Sequence, residues 1–99
     1  MKYRILYSPD TEEHMRVLTT RQQMTVLDSV EKQLQDQPTV ETKNRKPMRP
    51  NPLAPWELRI GNLRVYYDVE TKPKHVVYIR AVGIKNRNKV IIGNEVITL

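Results

Sequence analysis

The chain has no cysteine. Disulfides and thiolate metal sites are therefore excluded, and nothing in the composition points to secretion. Phenylalanine is also absent, so Tyr, Trp, Leu, Ile and Val must fill the interior. The only histidines are His14 and His75, and no third exists to complete a metal cluster with them. Long apolar runs are missing. Met1 to Thr20 mixes charge with isolated apolar residues, so no signal peptide is expected, and no later window approaches a membrane span. The expectation that remains is a cytoplasmic protein without membrane contact, metal or cofactor. There is no internal repeat and no low-complexity tract.

What is present is an ordinary globular composition with an uneven charge. At 99 residues the chain is expected to form a single domain, 1–99, and 38% hydrophobic with 28% charged residues suits a soluble fold. The formal net charge is +6. Residues 1–38 hold five Lys/Arg against six Asp/Glu, and residues 39–99 hold twelve against five. A neutral half joined to a strongly basic one points to a surface facing a polyanion, or to a solubilising exterior.

Lys2 to Tyr7 alternates polar and apolar residues and predicts a strand. Ser8-Pro9-Asp10 predicts a helix from Pro9 to about Thr19, with Ser8 as N-cap and Met15 and Leu18 buried. Asp10, Glu12 and Glu13 suit the positive end of its dipole. Thr20 and Gln23 have capping-box spacing and predict a second helix, with Met24, Leu27, Val30 and Leu34 as its apolar stripe and Pro38 as its end. From Thr39 to Pro55, four prolines prevent a regular helix or a central strand, and Lys43, Arg45, Lys46 and Arg49 are opposed only by Glu41. Trp56 to Ile60, the turn Gly61-Asn62 and Leu63 to Val69 form a hairpin. His75 to Ile84 is a third, central strand, and Val90 to Leu99, broken at Gly93-Asn94, adds a last strand or hairpin. The expected fold is α+β: an N-terminal strand and an α-helical hairpin packed on one face of a twisted, mainly antiparallel four-stranded sheet.

Period two assigns the faces. Trp56, Leu58, Ile60, Leu63, Val65, Tyr67 and Val69 should pack on the helices, opposite Glu57, Arg59, Arg64, Tyr66 and Asp68. On the third strand Tyr78 and Arg80 alternate with Val77, Ile79 and Ala81. The uncovered face would then present Arg59, Arg64, Tyr66, Tyr78 and Arg80 together. Such a face can hold phosphates and stack bases, or it can be the solvated side of a half-exposed sheet.

The order strand, helical hairpin, basic loop and β-meander resembles that of the RelE/ParE toxin superfamily. Trp56-Glu57-Leu58-Arg59-Ile60-Gly61-Asn62-Leu63-Arg64-Val65-Tyr66-Tyr67-Asp68-Val69 is similar to the family's central hairpin, and Ile79-Arg80-Ala81-Val82-Gly83-Ile84-Lys85 to its last core strand and the loop beyond. The likeness spans nearly the whole chain, although the individual motifs are short. It implies the toxin of a type II toxin–antitoxin system, in the RelE-type case a ribosome-dependent mRNA endonuclease that needs no metal. It also implies that Arg64 holds the scissile phosphate, that Arg59 stands at a family lysine position, that Lys85 stands where an arginine is usual, and that Arg87 keeps a neighbouring basic position. Two positions depart from the RelE pattern: Glu57 reverses the charge of a lysine, and Ile91 replaces a tyrosine. Glu57 is then a general base, or a strand carboxylate paired with Arg59 or Arg64. His14 and His75 are expected at the surface. The likeness leaves two other functions open: ParE-like inhibition of DNA gyrase without catalysis, and a degenerate relative that only binds. Each implies a cognate antitoxin, expected to wrap the basic groove and the helical hairpin.

Overall fold

The computed structural model describes residues 2–98, so Leu99, the expected end of the last strand, lies outside the described residues. The elements are β1 (Arg4–Tyr7), α1 (Asp10–Arg16), α2 (Thr20–Leu34), β2 (Arg45–Pro47), β3 (Trp56–Ile60), β4 (Leu63–Glu70), β5 (Val76–Asn86), β6 (Lys89–Ile92) and β7 (Glu95–Thr98). The strands form one seven-stranded sheet in the order β2-β3-β4-β5-β6-β7, with β1 added parallel to β5. β4 fills one edge of β5 along its length, while β1 and then β6 share the other. The sheet thus has more than the expected four strands: β2 is added inside the proline-rich segment, and the expected last strand or hairpin is the hairpin β6–β7. β2 forms inside the proline-rich segment because it is an edge strand with β3 as its one partner, so Pro47 need not donate to a ladder.

The helices are placed by short polar signals. The capping box falls on Thr19 and Gln22, one residue before the expected pair: the Gln22 amide donates to Thr19 Oγ1 at 3.1 Å and the Thr19 amide to Gln22 Oε1 at 2.9 Å. α1 stops at Arg16 rather than Thr19, and Pro9 rather than Ser8 occupies its cap position. α2 meets the sheet through the i, i+4 row Val26, Val30 and Leu34. That orientation corrects the expected stripe, since it turns Met24 (65% exposed) and Leu27 (47%) toward solvent.

The larger core lies between the helices and one sheet face, with Leu58, Val65, Tyr67, Val77, Ile79 and Val82 as its floor. Tyr67 is fully buried in this core. Its ring stacks on Trp56 at 6.1 Å, and its buried hydroxyl donates to the Pro38 carbonyl at 2.6 Å.

The other face is not open as expected. Tyr66, Ala54, Ala81, Val90 and Ile92 form a second core there, with Met48, Leu53 and Ile97 packed against it. The proline-rich segment folds over this face, closed by the Met48 amide donating to the Pro55 carbonyl at 2.8 Å, and the β6–β7 hairpin contributes the rest.

A β-bulge explains why Ala81 sits in this second core and not on the helix side. Tyr66 pairs with Ala81 and Tyr67 with Ile79, so Arg80 is an extra residue and the alternation changes phase. Backbone groups of β5 between its stretches paired with β1 and with β6 are taken by the α1 segment. The Ser8 hydroxyl donates to the Arg80 carbonyl at 3.3 Å, and the Val82 amide donates to His14 Nδ1 at 3.3 Å. His14 is therefore a half-buried tie between α1 and β5 rather than a surface residue, and His75 packs edge-on to Tyr3 at 5.1 Å.

Gly83 allows β6 to lie close. A Cβ there would stand 2.6 Å from the Ile91 carbonyl oxygen, 2.8 Å from Ile92 Cγ1 and 2.9 Å from Val90 Cγ1. Backbone and strand side chains cannot swing aside as a flexible tip would. Gly83→Ala is expected to cost about 2–3 kcal/mol of stability, measured by urea unfolding, as β6 is pushed off β5. An unchanged unfolding midpoint would contradict this close approach.

Candidate nucleic-acid interface

Two cross-strand rows build the site on the face away from the helices. One runs Lys46, Glu57, Tyr66, Ala81 across β2 to β5; the next runs Arg59, Arg64, Gly83, Ile92 across β3 to β6. Lys85 follows on β5, its amide donating to the Asn62 carbonyl at 2.7 Å. Where β6 and the proline-rich segment part, they leave a cleft of about 470 Å³, lined by Lys46, Pro47, Met48, Arg49, Pro50, Asn51, Glu57, Arg59, Lys85, Asn88 and Val90. Four cations and one carboxylate thus share a cleft large enough for a nucleotide unit.

Its electrostatics favour an anionic guest. Arg59 lies directly opposite Arg64, and like charges across a strand pair destabilise a sheet. Glu57 offsets part of that cost, its Oε1 accepting from Arg59 Nε at 2.7 Å. Lys46 has Glu41 at 3.5 Å. Arg49 and Lys85 form no ion pair among the described residues. A larger cavity of about 680 Å³ between α1 and the β6–β7 turn suits a polyanion poorly, because Asp10, Glu13 and Glu95 line it.

No protein-family model and no curated protein matches the sequence. Among solved structures, the chain is similar to one in the toxin–antitoxin complex RelBE2 from Mycobacterium tuberculosis. The TM-score is 0.69 at 17% identity, over 86% of this chain and 100% of that one. The fold is RelE-like. At such low identity the likeness carries the architecture and no residue roles.

On this RelE-like frame, five of the residues singled out from sequence meet in the cleft: Glu57, Arg59, Lys85, Lys46 and Arg49. Arg64 lies below rather than on the surface. It is 9% exposed, and its Nη1 donates to the carbonyls of Gly61 at 2.7 Å and Leu63 at 2.9 Å. Tyr66 is fully buried and has no face on which a base could stack, because the second core covers its ring. Burial first, and the Glu57 carboxylate next, hold its phenol well above the ordinary range, so it stays protonated.

Other expected nucleic-acid contacts lie elsewhere. Arg45 is a clamp: Nε donates to the Val40 carbonyl at 2.9 Å, and Nη1 donates to Gln33 O at 2.8 Å and Oε1 at 3.0 Å. Its backbone pairs with Leu58, a residue of the helix-side core, which explains why it faces α2. Tyr78 gives its hydroxyl to Glu70 at 3.0 Å and carries Arg80 over its ring at 5.2 Å, with Asp68 3.9 Å from Arg80. The hydrogen bond to Glu70 is the main reason its phenol is raised. None of these four residues lines the cleft. Lys43 is exposed on its loop and does not line the cleft. Arg87 is exposed in the β5–β6 turn beside Asn88, at φ 60°. Val90, not Ile91, faces the cleft, because Val90 and Ile92 turn toward the second core.

Asn51 was not expected from sequence and positions the cleft wall. Its Oδ1 accepts from the amides of Leu53 and Ala54 at 2.8 and 3.1 Å, and its Nδ2 donates to the carbonyls of Arg49 and Ala54 at 2.7 and 3.0 Å. Asn before Pro in a proline-rich stretch is the Asx-turn signal that could have revealed it.

Proposed function

We propose that this chain is the toxin of a type II toxin–antitoxin pair and cleaves mRNA on the ribosome. The observation that carries the reading is the convergence of Lys46, Arg49, Arg59 and Lys85 around the Glu57 carboxylate, within a RelE-like fold. RNA contains its own nucleophile, so the protein's task is positioning, charge stabilisation and two proton transfers. Glu57 takes the proton of a ribose 2′-OH, and the 2′ oxygen attacks the adjacent phosphorus. Arg59, with Arg64 beneath it, holds the equatorial oxygens as the phosphorane gains charge. Lys85 donates to the departing 5′ oxygen. The P–O5′ bond breaks, leaving a 2′,3′-cyclic phosphate and a 5′-OH.

The partner is an antitoxin whose acidic segment occupies the cleft and whose amphipathic helix covers Met24, Leu27 and Val17, the exposed apolar residues of the helical hairpin. A second reading, inhibition of DNA gyrase without catalysis, draws on the absence of tyrosine and histidine among the cleft residues.

Controlled expression in a bacterial host, with RNA 5′ ends mapped by their chemistry, separates the two. The expected result is arrested translation with 5′-hydroxyl cuts inside ribosome-bound messages. DNA breaks without such cuts would replace the RNase reading with the gyrase one.

A further inference from the structure

Two donors beneath the cleft have no hydrogen-bond partner: Arg64 Nε and the Tyr66 hydroxyl. A buried donor left unfilled is a standing cost to the fold, so its persistence asks for a state in which it is used. Tyr66 is paired across the sheet with Glu57 on one side and Ala81 on the other, and of these two side chains only Glu57 can accept. Glu57 is itself nearly enclosed, with its side chain 10% exposed. It directs Oε1 to Arg59, whose side chain is 45% exposed in the cleft wall.

An incoming phosphodiester competes for that guanidinium. We propose that Tyr66 is a positioning residue: when an anionic substrate takes up Arg59, the released Glu57 carboxylate turns to the Tyr66 hydroxyl, which holds it as the proton acceptor for the 2′-OH. The inference rests on reading the cleft as a cleavage site. In the free protein Arg59 keeps Glu57 from acting as a base. Substrate binding removes that restraint, and Tyr66 supplies the new anchor. The phenol remains a donor throughout, because burial and the adjacent carboxylate both oppose its ionisation.

The hydroxyl makes no full hydrogen bond before binding, although the Glu57 carboxylate already lies near enough to raise the phenol, and it makes one after binding. Stability and activity should therefore move in opposite directions when it is removed. In Tyr66→Phe the thermal midpoint is expected to rise by about 5 °C, since an unfilled buried donor is lost from a well-packed ring. Turnover of ribosome-bound mRNA should fall about tenfold to a hundredfold, and affinity for an uncleavable 2′-deoxy oligonucleotide by about threefold to tenfold, because the bound state alone loses a contact. A purely structural tyrosine would lose stability and activity together, and that outcome overturns the proposal.

A second measurement does not depend on cleavage. With tyrosine labelled with ¹³C at Cζ, and the Tyr66 signal assigned by its loss in Tyr66→Phe, the 2′-deoxy oligonucleotide should shift that signal in the parent protein and not in Glu57→Ala. A signal unmoved by the oligonucleotide overturns the inference even if the parent cleaves RNA. A signal that moves only with Glu57 present, in a protein that cleaves nothing, upholds the hydroxyl–carboxylate contact and removes the RNase reading instead.

Discussion

Arg59→Ala combined with Arg64→Ala is expected to abolish translation arrest and to lower cleavage of ribosome-bound mRNA by about a thousandfold or more. Removing one preorganised donor to a developing anion costs about 10²–10³ in rate, and neighbouring donors acting on one phosphate do not add simply. The two arginines contribute differently. Arg59 lines the cleft and can meet a phosphate directly. Arg64 is pinned to the turn carbonyls of Gly61 and Leu63 and presents an unfilled Nε from below. Arg59→Ala alone should therefore weaken RNA binding and reduce the dependence of log Kd on log salt by about one phosphate contact. Arg64→Ala leaves two turn carbonyls without a donor and should also lower stability, by about 1–2 kcal/mol. Arg64→Gln supplies a shorter donor to that turn without the charge and separates the two effects. A folded double variant that arrests translation as fully as the parent would remove the phosphate-binding role of this pair.

The helix-side core and the Glu57–Arg59 pair of the cleft were visible in the sequence for one reason: β3 and β4 keep strict alternation. Leu58, Val65 and Tyr67 go one way and Glu57 and Arg59 the other, because neither strand carries an extra residue against its hairpin partner. The alternation fails at Arg80. A bulge is a mismatch in count between two strands, and no single-strand pattern contains it. The capping box was displaced by one residue because Thr19-Gln22 and Thr20-Gln23 offer the same spacing, and only the burial of Leu18 and Val26 decides between them. The covering of the second face was hidden for a different reason. Met48, Leu53 and Ala54 are apolar residues in an aperiodic segment, where periodicity has nothing to report, yet they seal Tyr66 from solvent. Arg45 reads as one more loop cation until the chain is folded, when its three hydrogen bonds to Gln33 and Val40 identify it as part of the frame.

Glu57→Gln is the substitution on which the chemistry turns. The amide has the same shape as the carboxylate and can still accept from Arg59 Nε, so the cleft wall should keep its form, at a cost of about 1 kcal/mol for the lost charge assistance. As a base it would be disabled, and general-base losses are typically about 10²–10⁴ in rate. Binding should move the other way. Removing the one carboxylate from a cleft that holds four cations strengthens its hold on RNA, so KM should fall while kcat falls further. That pairing distinguishes a catalytic carboxylate from one that only neutralises Arg59. In the second case, freeing Arg59 would leave turnover intact or raise it. Single-turnover cleavage set beside oligonucleotide affinity reads both quantities. A Glu57→Gln variant that cleaves at the parental rate would leave Glu57 as an ion-pair partner, and would require the 2′-OH proton to go to a group supplied by the ribosome or the RNA.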